Sequence, residues 1–162
     1  VDELWHFMRE NIPGFENSRV LSTALQIGAR ESRMIAGEYR LTQEDLKACT
    51  KFPDGIAAGN YDIDIHNPEG SGTSHYFFAP GAYYTIPYRC LLPKGTTNLL
   101  VAGRCISSTH EAQASYRVMP IVCCIGEAAG VAAGVAHQAR VSLRAVDIQR
   151  VRALLQAGGA PI

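Results

Sequence analysis

The polar residues best suited to chemistry are concentrated in the stretch "GRCISSTHEAQASYR", between an apolar segment and a long apolar helix pattern. Histidine has a reference pKa of about 6.5, so it readily takes or gives a proton near neutral pH. Arginine remains charged and suits anionic groups. The stretch therefore predicts a site in which His110 and Arg117 have catalytic roles, with Glu111 beside them as a substrate contact.

A purely structural role for these residues remains open. His110 and Glu111 could form a local polar pair, and Arg117 could form a surface salt bridge. The position of the stretch favours a site, because loops between a buried strand and a helix N-terminus are where α/β proteins place their binding groups. A second candidate group lies on "DIDIH" and "IPYR", where His66 is a further catalytic candidate and Arg89 a substrate contact. His66 could equally be a surface histidine.

The segment "RVMPIVCCIGEAAGVAAG" predicts a long helix whose N-terminus lacks a capping side chain. Pro120 suits the first helical position, which places Met119 at the N-cap. Methionine cannot accept the hydrogen bonds that the amides of Ile121 and Val122 offer. A water-capped end and a ligand site for electron-rich oxygens are both compatible with this pattern.

One face of this helix has almost no side chains, and nearly all of its other positions are apolar. Gly126, Gly130 and Gly134 recur every four residues, and each glycine costs about 1 kcal/mol of helix stability relative to alanine. A helix that is apolar nearly all round is expected to be buried all round. Plain core packing remains an alternative to a ligand site. A membrane span over residues 118–136 is disfavoured by Glu127 near its centre.

The remaining patterns outline mixed α and β elements. Thr42 predicts a capped helix with Asp45 in the capping box, and Asp147 predicts the cap of a terminal helix that Gly158 ends. We also expect an N-terminal amphipathic helix, strands near residues 34–41, 61–66 and 97–104, and an extended segment over 83–95. The stretch "GSGTSH" resembles the beginning of a phosphate loop, but Pro80 and Gly81 follow where a helix is required, so we expect a turn or mobile loop.

Composition excludes several classes of partner. Fifteen basic and fifteen acidic residues without a run of like charge give no reason to expect nucleic acid, and no membrane partner is expected. The five cysteines have no metal-ligand spacing, so no metal site is expected. Free, buried thiols indicate a reducing compartment, hence a cytoplasmic location. The segment before Pro13 lacks a signal-peptide pattern.

At this point the sequence resembles a family, the C-terminal part of FAD-dependent oxidoreductases, with distant similarity to the flavoprotein subunits of fumarate reductase and succinate dehydrogenase. The most specific segments are "NLLVAGRCISSTHEAQASYRVMP" and "GEAAGVAAG". The resemblance implies an FAD cofactor and a small-molecule substrate. The residues that the resemblance places along the cofactor are Gly103, Arg104, Val118, Met119 and Pro120. Ile121 is a further cofactor candidate, because its amide lies in the first turn of the helix.

The family's N-terminal strand, glycine-rich loop and ribose-binding acid have no counterpart in this sequence, so we expect an excised fragment whose partner is the N-terminal FAD domain of the same chain. The fold class implied is α/β, a mixed α+β fragment with a substrate-side region over 1–95 and the last strand and helix of a Rossmann-like FAD domain over 96–162. The implied function is hydride transfer between an organic substrate and FAD. The competing hypothesis is a non-enzymatic packing or oligomerisation module that uses the Gly/Ala-rich helix; the oligomeric state stays open.

Overall fold

The computed structural model describes residues 1–31, 33–66 and 72–162, with the backbone alone at His66 and Thr73. Within this part of the chain the architecture is mixed α+β, which confirms the predicted class. The helices are α1 (Asp2–Asn11), α2 (Gln43–Lys47), α3 (His110–Tyr116), α4 (Met119–Ala139) and α5 (Ile148–Ala157). The strands are β1 (Gly55–Gly59), β2 (Ile63–His66), β3 (Thr73–Tyr76) and β4 (Tyr84–Pro87), and a 3-10 helix covers Tyr88–Leu91.

The strands form two small antiparallel ladders. β1 pairs with β4, and β2 pairs with β3, with Asp64 opposite His75. Ile56, Ile86 and Tyr84 are fully buried where the first ladder faces the helices. Gly59 is required in β1, because an added Cβ would lie 2.6 Å from the Tyr84 ring.

Helix α4 packs one face against β1 and α5. Its buried residues follow helical spacing, and the fully buried ones are Ile125, Ala128 and Ala132. The helix begins at Met119 with Val118 as N-cap and Pro120 in the first turn, one residue earlier than predicted. The predicted absence of a capping side chain is confirmed.

Within the described part of this chain, α4 is not buried all round. Gly126, Gly130 and Gly134 are exposed, and a Cβ added at any of them would meet no atom of the described chain within 4 Å. They lie on the face opposite the buried residues, where no described element of this chain packs. Cys123 on this helix is exposed as well, contrary to the expected buried thiols, whereas burial raises the pKa of Cys90 to about 12.

Both side-chain caps predicted from sequence are confirmed. The hydroxyl of Thr42 accepts from the amide of Asp45 at 3.3 Å, and the Asp45 carboxylate accepts from the Thr42 amide at 3.0 Å. Asp147 accepts from the amide of Gln149 at 3.0 Å, and Gly158 is the C-cap of α5.

Two predicted strands are not regular strands. Among the described residues, 34–41 form two isolated bridges, Gly37 with Pro93 and Leu41 with Ser108, and no ladder. Residues 99–102 have no strand partner among the described residues; the Val101 amide donates to the Leu91 carbonyl at 2.9 Å.

The other predictions are confirmed in part. The N-terminal helix forms as α1, yet none of its residues is buried by the described part of the chain. The strand near 61–66 forms as β2, and the extended segment contains β4. Of the stretch "GSGTSH", Gly70 and Ser71 lie outside the described residues, and the turn prediction is wrong for 73–75, which belong to β3.

Among the described residues, α4 is the one helix whose length and composition would allow it to cross a membrane. One third of its apolar 18-residue stretch is buried within the described part of this chain. The core itself draws residues from both predicted regions, for example Leu46 and Ile86 from 1–95 and Ile125 and Val151 from 96–162. The domain division stays a prediction.

Candidate functional site

His110 is the first residue of α3, and local hydrogen bonding determines that position. The hydroxyl of the N-cap residue Thr109 accepts from the amide of Ala112 at 3.3 Å, which begins the helix at His110. The imidazole is about half exposed, and its Nδ1 lies 2.7 Å from Oε1 and 2.6 Å from Oε2 of Glu31. The other ring nitrogen, Nε2, is therefore left for contacts outside this pair.

Arg117 is the C-cap of α3 and connects this helix to β2. Its Nη2 donates to the backbone carbonyl of Asp64 at 3.0 Å and lies 3.6 Å from Oδ2 of the same residue. Only 10% of the Arg117 side chain is exposed. Burial lowers the pKa of Arg117, and the nearby charge of Arg30 lowers it further.

The Asp64 carboxylate lies among three cationic or basic side chains. Besides Arg117, Arg30 Nη2 lies 4.0 Å from its Oδ2, and His75 Nε2 lies 3.5 Å from its Oδ1. Asp64 is nearly buried, so these charges interact in a medium less polar than water. The arrangement is an ion-pair network that joins β2, β3, the loop before α2 and the end of α3.

Gly103 and Arg104 form a turn that contacts the α3–α4 junction. Gly103 has φ +94°, a left-handed conformation that favours glycine. Arg104 Nε donates to the carbonyl of Arg117 at 3.0 Å, and its Nη1 donates to the carbonyl of Ala29 at 3.1 Å. Tyr116 supports the turn from below, since its hydroxyl donates to the Arg104 carbonyl at 3.3 Å.

The N-terminal end of α4 lies between two open clefts. A cleft of about 400 Å³ is lined by Arg104 and Met119 together with Glu31, and a second of about 460 Å³ is lined by Pro120 and Ile121. The first α-helical bond runs from the Val122 amide to the Val118 carbonyl at 3.1 Å. The expectation that the Val122 amide lacks a partner is therefore wrong. Pro120 has no N–H, so the first-turn donors that can bind electron-rich oxygens are the amides of Met119 and Ile121.

The structure brings together one part of the predicted site. Arg117 and Arg104 lie at the α3–α4 junction, next to the predicted cofactor residues from Val118 to Ile121, whereas His110 lies at the other end of α3, about 10 Å along the helix axis. Arg89 makes its contacts elsewhere. Its guanidinium donates to both carboxylate oxygens of Asp54, at 2.9 and 3.2 Å, and this pairing raises the pKa of Arg89. The guanidinium also lies over the Tyr39 ring.

Glu111 has a local contact that explains its electrostatics. Hydrogen bonds from its own backbone amide and from the Thr109 side chain lower the pKa of its carboxyl, as is usual for an acid in the first turn of a helix. The side chain of His66 lies outside the described residues. The roles predicted for Glu111, His66 and Arg89 stay predictions.

Three residues at the site were missed in the sequence analysis: Arg30, Glu31 and Asp64. Arg30 and Glu31 belong to the segment "GARESR", where adjacent opposite charges give no periodicity to interpret. Asp64 lies within "DIDIH", but its pairing with Arg117 spans 53 residues and depends on how α3 packs against β2.

Comparison with known proteins gives one family. The family model described as "FAD dependent oxidoreductase" matches residues 1–155. No curated protein and no solved structure matches the chain. The match supports the family and its FAD cofactor. It does not test the likeness to fumarate reductase or whether the chain is a fragment of a longer protein, and it does not support a non-enzymatic module.

Proposed function

Since the chain belongs to the FAD-dependent oxidoreductase family, we propose that it is the C-terminal part of a flavoprotein that transfers hydride between an organic substrate and FAD. The observation that carries this proposal is the placement of Arg117 and Arg104 beside the uncapped N-terminus of α4, where the adjoining cleft is also lined by Glu31, the partner of His110. A distant relationship to the fumarate reductase flavoproteins belongs to the same proposal. The cysteines of this chain are unpaired thiols, which favours a cytoplasmic location.

The donors at the end of α4 fit a flavin. Met119 and Arg104 line an open cleft: the Met119 amide has no intrahelical partner, and the Arg104 guanidinium, whose Nε and Nη1 donate to backbone carbonyls, keeps Nη2 for electron-rich oxygens. Met119, 73% exposed, presents an apolar side chain at the same cleft. When bound, the flavin supplies the redox step, and the protein positions the reactants and stabilises charge. Gly103, Arg104 and residues 118–121 would hold the cofactor.

His110, Arg117 and the N-terminal end of α4 have separate proposed roles. His110 has an exposed ring, so its Nε2 can accept the proton that a substrate hydroxyl or amine loses as hydride leaves. Arg117 and the helix end supply positive charge close to the place where negative charge accumulates on reduction. Arg117 is compensated by Asp64, so its net effect depends on the pair. Arg89, Glu111 and His66 are proposed for the substrate side.

Two features support a partner domain in the full-length protein. The glycine face of α4 is exposed within the described chain, and residues 99–102 have no strand partner there. An FAD-domain sheet would cover both: the glycines permit close backbone approach, and backbone groups of 99–102 that are not paired in this chain could bond to it. We propose that the preceding FAD domain packs against them and holds the adenine and pyrophosphate.

FAD binding by the full-length protein and by the 162-residue chain tests the proposed function. The full-length protein should copurify with FAD, whereas the 162-residue chain should bind FAD weakly or not at all, because the phosphate-binding loop is absent from it. Absorbance of the purified full-length protein and calorimetric titration of the short chain measure the two. Submicromolar FAD affinity of the short chain would show a self-sufficient site, and a colourless full-length protein that cannot be reconstituted with FAD would contradict the proposed function.

Replacing Arg117 by methionine should lower the flavin reduction potential. The substitution removes a buried positive charge and leaves the Asp64 carboxylate less compensated, so negative charge on the reduced flavin becomes less favourable. A tenfold change in preference corresponds to about 30 mV for a two-electron couple, and we expect a decrease of at least about that size. Potentiometry of the loaded protein measures it.

Two variants control for this experiment. Arg117→Lys keeps the charge and should retain most of the potential, while Arg150→Met removes an equal charge from exposed α5 and should leave the potential unchanged. An unchanged potential in Arg117→Met would mean that this residue serves only to join β2 to α3.

A further inference from the structure

We propose that Glu31 is the positioning residue for His110: its carboxylate fixes the imidazole tautomer and supplies the counter-charge when the ring takes a proton. This inference rests on the proposed function, in which His110 accepts the substrate proton. Glu31 was assigned no role from the sequence, and it is separated from His110 by 79 residues.

The contact has the geometry of a strong, charge-assisted hydrogen bond. Both oxygens of Glu31 lie within 2.7 Å of His110 Nδ1, and the Glu31 side chain is 28% exposed against 48% for His110. A carboxylate has acceptors only, so the Nδ1 atom must carry the hydrogen. The neutral ring then has its lone pair on Nε2, which is the form that can accept a proton from outside the pair.

The backbone before and after Glu31 is held by the elements that hold His110. The carbonyl of Ala29 accepts from Arg104, and the carbonyl of Arg30 accepts from Nε2 of Gln113 at 2.8 Å. Gln113 is fully buried in α3, the helix that His110 begins. After Glu31, the Ile35 amide donates to the Cys105 carbonyl at 3.0 Å.

These anchors distinguish the pair from an ordinary surface ion pair. Exposed pairs between flexible side chains contribute little because both partners must be immobilised. Here Ala29 and Arg30 before Glu31, and Ile35 after it, are hydrogen-bonded to the segment 104–113, so the carboxylate is brought to Nδ1 by the fold. Glu31 also lines the cleft that Arg104 and Met119 share, which places the Glu31 end of the pair at the proposed cofactor cleft.

The proposed step removes a hydride and a proton from the substrate. The C–H bond of the substrate breaks and its hydrogen leaves with both electrons, as hydride, to the flavin, so the substrate is oxidised and the flavin reduced. The O–H or N–H proton of the substrate passes to Nε2 of His110, and a C=O or C=N bond forms. The ring becomes an imidazolium with hydrogens on both nitrogens, and the Glu31 carboxylate, which remains ionised, balances its charge.

Two substitutions separate orientation from charge. Glu31→Gln retains an oxygen that can accept from Nδ1–H but removes the negative charge, whereas Glu31→Leu removes both. Glu10→Leu, at an exposed position of α1, is the matched control. Each variant is made in the flavin-loaded full-length protein with ¹⁵N-labelled histidine, and the His110 signals are assigned by their loss in His110→Gln.

Two readouts are measured. Imidazole ¹⁵N shifts, taken where the ring is neutral, report the tautomer, and stopped-flow absorbance reports substrate-driven flavin reduction. In the wild type and in Glu10→Leu we expect hydrogen on Nδ1. Glu31→Leu should shift the tautomer toward hydrogen on Nε2 and slow reduction at least about tenfold, since the orienting acid of a catalytic histidine contributes strongly to rate. Glu31→Gln should keep the tautomer and recover part of the rate.

The outcomes separate this inference from the function on which it rests. An unchanged tautomer in Glu31→Leu overturns the positioning role, whatever the rate does. If the tautomer shifts but reduction keeps its wild-type rate, Glu31 orients a ring that the reaction does not use, and the proposal fails as well. If His110→Gln itself reduces the flavin at the wild-type rate, the assignment of His110 in the proposed function is wrong.

Discussion

Replacing His110 by alanine should slow substrate-driven flavin reduction by about 10²-fold or more, the range typical for loss of a general base. The reason is geometric: His110 is fixed at the first turn of α3 with Nδ1 bound to Glu31, and its half-exposed ring leaves Nε2 as the available base. The flavin potential should change little, because the neutral ring contributes no full charge before the proton is transferred. Stopped-flow reduction and potentiometry of the loaded full-length protein measure the two quantities separately.

The matched control for this substitution is His137→Ala. His137 is exposed in the last turn of α4, far along the helix from Met119, and should leave both quantities unchanged. Wild-type reduction kinetics in His110→Ala would mean that the loop is structural. The proton acceptor would then lie in another part of the protein or on the strand that carries His66.

Replacing Gly130 by leucine should abolish FAD loading or folding of the full-length protein while leaving the 162-residue chain folded. The two halves of this prediction follow from one observation: a side chain at Gly130 meets no atom of the described chain within 4 Å. In the short chain leucine even favours the helix, because glycine costs about 1 kcal/mol. In the full-length protein the side chain must displace the proposed FAD domain, and overpacking typically costs about 1 to 3 kcal/mol.

Flavin content by absorbance and thermal unfolding of both proteins test this prediction. Ala153→Leu, a comparable enlargement at an exposed position of α5, should leave flavin content unchanged. A Gly130→Leu protein that is fully loaded and as stable as the wild type would show that this face of α4 contacts solvent in the complete protein. The partner domain would then have to dock elsewhere.

Local features of the fold could be predicted from the sequence alone, because they depend on interactions within about one helical turn. The capping box of Thr42 and Asp45, the Asp147 cap and the periodic apolar residues of α4 and α5 all belong to this class. The lack of a capping side chain on α4 was equally evident, although the cap proved to be Val118 instead of Met119. Backbone dihedral angles decide that difference, and side-chain types do not encode it sharply.

The sequence by itself also determined the family and the segment that carries the site, since "GRCISSTHEAQASYR" contains His110 and Arg117 at the start and end of one short helix. Only the tertiary structure decided their partners. Glu31 reaches His110 across 79 residues and Asp64 reaches Arg117 across 53, and neither spacing leaves a periodic pattern in the chain. The direction of the glycine face was likewise decided by tertiary packing: periodicity shows that a helix has a bare stripe, but the positions of β1 and α5 determine which side is covered.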